Sequence, residues 1–132
     1  MIVAASPPLV AEWQQRWATT ADTQASAAET VALCAAFLDH LRNAGRSRQT
    51  IAAHTRNLWL IGNEIMAFMA ASAANRTRGL DWFIAARIAG DDPPMPKQLK
   101  QKTERDAYMA TVRALLRFVR GKRLNGGKSR QP

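Results

Sequence analysis

Cysteine is nearly absent from this sequence, and its single copy, Cys34, excludes an internal disulfide and a zinc site built from several cysteines. One tyrosine and two histidines leave little material for nucleophilic or acid–base catalysis. Valine and isoleucine are sparse, and no segment alternates apolar and polar residues over the length of a strand. We therefore expect an all-α protein that is not an enzyme and that holds neither a metal ion nor a cofactor.

Long hydrophobic runs are also missing. The most apolar stretch, residues 58–74, contains Asn63 and Glu64 and falls short of the roughly 20 residues that a membrane-spanning helix needs. Residues 1–8 lack the basic start and the apolar run of a signal peptide. The sequence therefore predicts a cytoplasmic protein without a membrane partner.

Acidic residues are scarce where basic residues are dense. The chain has 132 residues and a net charge of +9. Residues 97–132 carry eleven lysines and arginines against two acidic residues, whereas residues 1–41 carry one arginine against four acidic residues. This asymmetry favours a directed basic surface and an anionic partner, and we expect double-stranded DNA.

Apolar residues recur at helical spacing through most of the chain. We predict a short N-terminal helix with a linker over residues 1–25, a helical domain over residues 26–121 and a flexible basic tail over residues 122–132. Within this scheme the predicted helices run from about Pro7 to Thr19, from Ser26 to Gly45, from Ser47 to Ala71, from Leu80 to Ala89 and from Thr103 to Gly121. Residues 74–79 are predicted to be a loop, and the prolines of residues 90–96 predict a break.

Each long helix has an apolar stripe that we assign to the core. The stripes consist of Val31, Cys34, Phe37, Leu38 and Leu41 in the second helix, Ile51, Leu58, Gly62, Ile65 and Met69 in the third, and Tyr108, Val112, Leu115, Leu116 and Val119 in the last. Cations of the third and last helices fall to one side of these stripes on a helical wheel. Basic side chains from two helices are therefore predicted to share one surface.

The run from Phe37 to Leu41, then Gly45-Arg46-Ser47, then Thr50-Ile51 through Leu58, resembles the opening of the core-binding domain of tyrosine recombinases, the phage integrases. Residues 103–119 resemble the fourth helix of that domain. The resemblance implies a SAM-like bundle of four main helices plus a short N-terminal helix, in which the second and fourth domain helices approach DNA. The recombinase catalytic domain has no room in this chain, and His54 stands where the family has an aromatic residue.

The sequence thus predicts a non-catalytic DNA-binding module, accessory to a mobile element or regulating one. The predicted DNA-binding residues are Arg46, Arg48, Gln49, Arg56, Lys97, Lys100, Lys102, Arg113, Arg117, Arg120, Lys122 and Arg123. Two alternatives remain open, a fragment of a complete tyrosine recombinase and a helical protein–protein interaction module. The helix that carries Trp13 and Trp17 is a candidate contact with the bundle itself, with a second copy or with a recombinase.

Overall fold

The computed structural model describes the backbone of residues 7–129 and the side chains of residues 7–122. Within these bounds the chain is all-helical and contains no strand. Its helices are α1 (Val10–Trp17), α2 (Gln24–Asn43), α3 (Arg48–Ala71), α4 (Ala73–Phe83) and α5 (Lys102–Ser129). The all-α prediction is confirmed.

The N-terminal helix α1 is held in place by tryptophans. Trp13 and Trp17 are buried one turn apart and pack against Trp59 of α3, with the rings of Trp17 and Trp59 stacked at 5.2 Å. Gly62 leaves the space that the Trp17 indole occupies, because a Cβ at this position would overlap its ring. The Trp17 indole nitrogen donates a hydrogen bond of 2.8 Å to Asn63 Oδ1. Both indoles therefore dock α1 on the bundle and are not available to a second copy or a recombinase.

The segment between α1 and α2 is more ordered than the predicted linker. Residues Ala21–Thr23 form a 3₁₀ turn, closed by a reciprocal capping box between Thr20 and Thr23. This turn leads directly into α2, so the helix begins at Gln24, before the predicted cap at Ser26. The prediction that Ser26 and Glu29 form a capping box at the start of this helix is therefore wrong. Ser26 instead accepts a hydrogen bond at its carbonyl from the buried Thr30 hydroxyl.

A tight turn joins α2 to α3 as predicted. Gly45 has φ of +75°, and the amides of Gly45 and Arg46 donate to the carbonyls of Arg42 and Leu41. Glycine adopts this left-handed conformation without the penalty that a Cβ imposes. Ser47 caps α3, since its hydroxyl accepts the amide of Thr50 at 3.1 Å.

The loop predicted over residues 74–79 is wrong, because these residues belong to α4. Ser72 caps that helix by accepting the amide of Asn75, and Gly79, at φ of +83°, bends it. A π-helical turn, Ile84–Ile88, follows and buries Ile84 and Ile88. The predicted helix over residues 80–89 is thus the second half of a longer, kinked helix.

The final helix begins after the proline-rich segment and continues past its predicted end. Gly121 does not end α5, because the backbone remains helical to Ser129. Arg123 and the residues after it lie outside the described side chains. None of the helices within residues 7–129 is long and apolar enough to cross a bilayer.

The core lies where α2, α3 and α5 meet. Most of the predicted apolar stripes are buried, while Val31, Ile51, Leu116 and Val119 are half-buried at its margin. Phe37 of α2 packs on Phe118 of α5, and its ring edge meets His54 of α3. Three helices therefore contact one another through a single aromatic residue.

Candidate nucleic-acid interface

The contact between α3 and α5 fixes how their basic side chains are arranged. His54 Nδ1 shares a hydrogen bond of 2.7 Å with Thr111 Oγ1. Asn57 Nδ2 donates to Thr111 Oγ1 at 3.0 Å and to the carbonyl of Ala107 at 3.2 Å. Higher numbers on α3 meet lower numbers on α5, so the two helices are antiparallel. In this register Gln49 lies level with Arg117, and Arg56 lies level with Ala110.

The side of α3 that faces solvent carries Gln49 and Arg56, both exposed. An α-helix turns by about 100° per residue. Around the axis of α3, Gln49 and Arg56 therefore lie about 110° and 130° from the mean direction of His54 and Asn57, the two residues that contact α5. The opposite rotation from that direction leads to the side packed on α2. Gln49 and Arg56 therefore point away from the core and flank the α3–α5 contact.

The solvent side of α5 carries Arg113 and Arg117, also exposed. Around the axis of α5, they lie about 140° and 100° from the mean direction of Ala107 and Thr111, the residues that contact α3. Buried Val112 and Leu115 lie on the other side of that direction. Because the helices are antiparallel, these rotations turn Gln49, Arg56, Arg113 and Arg117 toward the same side of the molecule. We call these four residues the basic face.

Charge on the basic face is not neutralised by the described part of the chain. The ion pairs among residues 7–122 join Arg16 to Glu12, Arg42 to Asp39, Arg76 to Asp22 and Lys102 to Asp106. None of them involves Arg56, Arg113 or Arg117. Moreover, no acidic residue follows Asp106 in the sequence. Three guanidinium groups are therefore free to contact an anionic ligand.

Three predicted cations lie at the other end of α5. Lys102 is about 16 Å along the helix from Arg113 and pairs with Asp106 at 2.7 Å. Lys97 and Lys100 belong to the segment before α5 and are exposed. Lys97 lines a cleft of about 280 Å³ beside α3. Lys102 therefore lies apart from the basic face, whereas Lys97 borders a cleft one helical turn beyond Arg56.

The remaining predicted cations surround the basic face without belonging to it. Arg48 is exposed on the side of α3 that points away from α5, and Arg46 precedes the Ser47 cap. On α5, exposed Arg120 lies at the edge of the basic face, about 20° from Arg113 around the helix axis. Lys122 lies one turn beyond Phe118 on the side turned toward α2. Arg123 cannot be placed, because it lies outside the described side chains.

The polar link between α3 and α5 escaped sequence analysis. Thr111 is a polar residue, yet it is buried between the apolar residues of the α5 stripe. The sequence gives no sign that Asn57 contacts another helix. Burial and the positive charge of Arg46 lower the pKa of His54 below its usual value. The only available signal was that His54, Asn57 and Thr111 all border the apolar stripes of their helices.

The other reactive side chains are packed away from the basic face. Burial raises the pKa of the Cys34 thiol to about 12, which keeps it protonated and unreactive at neutral pH. Tyr108 is buried in the core, and its hydroxyl donates to the carbonyl of Pro94 at 3.4 Å. Burial, with the nearby charge of Glu64, raises the pKa of that hydroxyl. Among the described residues, no three His, Cys, Asp or Glu side chains are grouped to hold a metal ion.

Comparison with protein-family models finds no match, and neither the curated proteins nor the solved structures contain a match to this chain.

Proposed function

We propose that this chain is a non-catalytic module that binds double-stranded DNA through the basic face. The observation that carries the proposal is the placement of unpaired Arg56 on one side of the α3–α5 contact and unpaired Arg113 and Arg117 on the other. Guanidinium groups bind phosphates through paired N–H donors, and neutralised phosphates release counterions. Gln49 adds a carboxamide that can donate to and accept from a base edge.

The rigidity of α5 supports this proposal. Tyr108, Thr111, Val112 and Leu115 are all buried and anchor the helix along the same length that presents Arg113 and Arg117. The arginines therefore lose less freedom on binding than they would on a mobile segment. The resemblance to recombinase core-binding domains supports duplex DNA as the ligand. It also leads us to propose a SAM-like arrangement of the bundle and a role beside a mobile element. We further propose a cytoplasmic location.

Charge reversal on the basic face tests the proposal. We expect Arg113→Glu/Arg117→Glu to weaken binding of a short duplex by at least tenfold in low salt. The slope of log K against log salt should fall by about 2, because each lost cation releases about one counterion fewer. Adding Arg56→Glu should weaken binding further, because its side chain lies on the same face. Fluorescence anisotropy across a salt series measures both quantities.

The matched control is Arg16→Glu/Arg87→Glu, which changes the net charge equally at exposed positions outside α3 and α5. If this control weakens binding as much as the α5 variant, overall charge governs binding and the basic face is not the site. If the wild-type chain leaves duplex DNA unbound at low ionic strength, the proposed function is wrong.

A further inference from the structure

A cleft of about 280 Å³ opens between α3 and the segment that precedes α5. Leu60, Met95 and Pro96 give it apolar walls, and its polar lining consists of Asn63, Glu64, Lys97 and Gln98. Binding sites for drug-sized molecules start at about 300 Å³. The cleft is therefore sized for a group smaller than a typical drug-sized molecule.

Glu64 gives the cleft its chemical character. It is the one acidic residue among residues 42–78, and it is half-buried. It forms no hydrogen bond or ion pair with any described side chain, although Lys97 lines the same cleft. A carboxylate in this position accepts N–H donors and repels phosphate. The group that fits must therefore present N–H donors toward Glu64 and keep any phosphate away from it.

The other polar side chains leave room for such a group. Asn63 uses its Oδ1 atom to accept the Trp17 indole N–H, so its amide N–H groups are left to donate to a ligand carbonyl. Gln98 is an exposed part of the lining and offers both a donor and an acceptor. Lys97 is exposed at the rim, where an ammonium group can meet a phosphate.

The cleft lies next to the basic face along α3. Leu60 is one helical turn beyond Arg56, and Glu64 is one turn beyond Leu60. A DNA ligand bound by Arg56 would therefore lie within about two helical turns of Glu64. A cleft that accepts N–H donors beside a cationic surface matches a nucleotide, whose base presents N–H groups and whose phosphate is anionic.

We propose that this cleft receives a single unpaired base of the bound DNA, and that Glu64 accepts N–H groups from its Watson–Crick edge. Guanine fits best, because its N1–H and its 2-amino group lie side by side and match the two oxygens of a carboxylate. Leu60, Met95 and Pro96 cover the faces of the ring, and Lys97 contacts the phosphate of the same nucleotide. This inference rests on the proposed DNA-binding function and assigns it a preference for unpaired positions.

Three duplexes that differ at one central position test the inference. The first is fully paired, the second carries one extra guanine, and the third carries an extra abasic nucleotide that distorts the backbone equally. We expect the chain to bind the extra-guanine duplex about tenfold more tightly than the abasic one, as a charged hydrogen-bonded pair would provide. An extra thymine should give a smaller preference, because it presents one N–H between two carbonyls.

Glu64→Gln should remove most of the preference for guanine and leave binding to the fully paired duplex unchanged. Glu29→Gln is the matched control, an exposed position on α2 with the same change in charge. Equal affinity of the wild-type chain for the guanine and abasic duplexes would overturn the inference, while binding of the paired duplex would leave the proposed function intact. A uniform loss with Glu64→Gln on all three duplexes would also overturn it, and circular dichroism checks that the variant folds.

Discussion

The two sides of α3 pack on their neighbours through different kinds of interaction. On one side, Trp13 and Trp17 of α1 pack on Trp59, and a glycine at residue 62 admits an indole ring. On the other side, His54 and Asn57 contact α5 through hydrogen bonds to one buried hydroxyl, that of Thr111. The first contact depends on shape and buried apolar area, whereas the second depends on satisfied polar groups. The α1 contact should therefore respond to changes in volume, and the α5 contact to changes in hydrogen bonding and pH.

The largest expected effect comes from filling the space that Trp17 occupies. Gly62→Ala places a Cβ where the indole lies, and the ring cannot move without disturbing its stack on Trp59. We expect the free energy of unfolding to fall by about 2–3 kcal/mol, as for other overpacked cores. Denaturant unfolding followed by tryptophan fluorescence measures this change.

A second helical glycine supplies the control for that experiment. Gly121 lies in α5, and a Cβ at this position would have no neighbour within 4 Å. Gly121→Ala should therefore stabilise the chain by about 0.5–1 kcal/mol, because alanine favours the helix and nothing opposes it. If both alanine variants gain stability, the close packing of Trp17 on Gly62 is refuted.

A smaller loss is expected when the polar contact is broken. Thr111→Val keeps the shape of the buried side chain but removes the hydroxyl that bonds His54 and Asn57. We expect a loss of about 1–2 kcal/mol, since His54 Nδ1 is left without a partner at a half-buried contact and Asn57 keeps only the carbonyl of Ala107. The same variant should weaken DNA binding, because α3 and α5 must keep their register for Arg56 and Arg117 to share a face. Unfolding curves and anisotropy on one preparation test the two effects together.

Stability and binding must change together for that interpretation to hold. A Thr111→Val chain that loses stability but binds duplex DNA with unchanged affinity would show that the register of α3 and α5 does not matter for the ligand. The basic face would then be two independent patches on separate helices.

The sequence predicted the helices and their inward stripes better than it predicted their connections. Periodicity at residues 51–69 and 108–119 identifies buried residues directly, because one face of a helix must be apolar to pack. The predictions of the connections were wrong where a second capping residue or a glycine inside a helix competed with the expected signal. Thr20 and Thr23 formed a cap upstream of Ser26, Ser72 capped a helix through the predicted loop, and Gly121 was accommodated inside α5.

The candidate site was only partly accessible to such analysis. A helical wheel identifies which side of one helix is basic, and Arg113 and Arg117 follow from it. It does not determine the register between two helices, which here depends on the contact of Thr111 with His54 and Asn57. The cleft at Glu64 was missed because residues 95–98 reach it through a loop without periodicity.

The smallest expected effect concerns pH and the α5 contact alone. The pKa of His54 lies below its ordinary value in the folded chain, because burial and Arg46 disfavour the charged ring. The unfolded chain therefore binds more protons near pH 6.5 and just below it, so stability is complete above that pH and falls as the pH drops toward the folded pKa. His54→Gln should remove this part of the pH dependence. We expect the melting temperature of the wild type to fall more than that of His54→Gln between pH 7.5 and 5.5. The difference between the two falls should be smaller than the decrease in melting temperature that Thr111→Val causes at one pH. Equal falls in the two proteins would show that the histidine is not the group that couples the α3–α5 contact to pH.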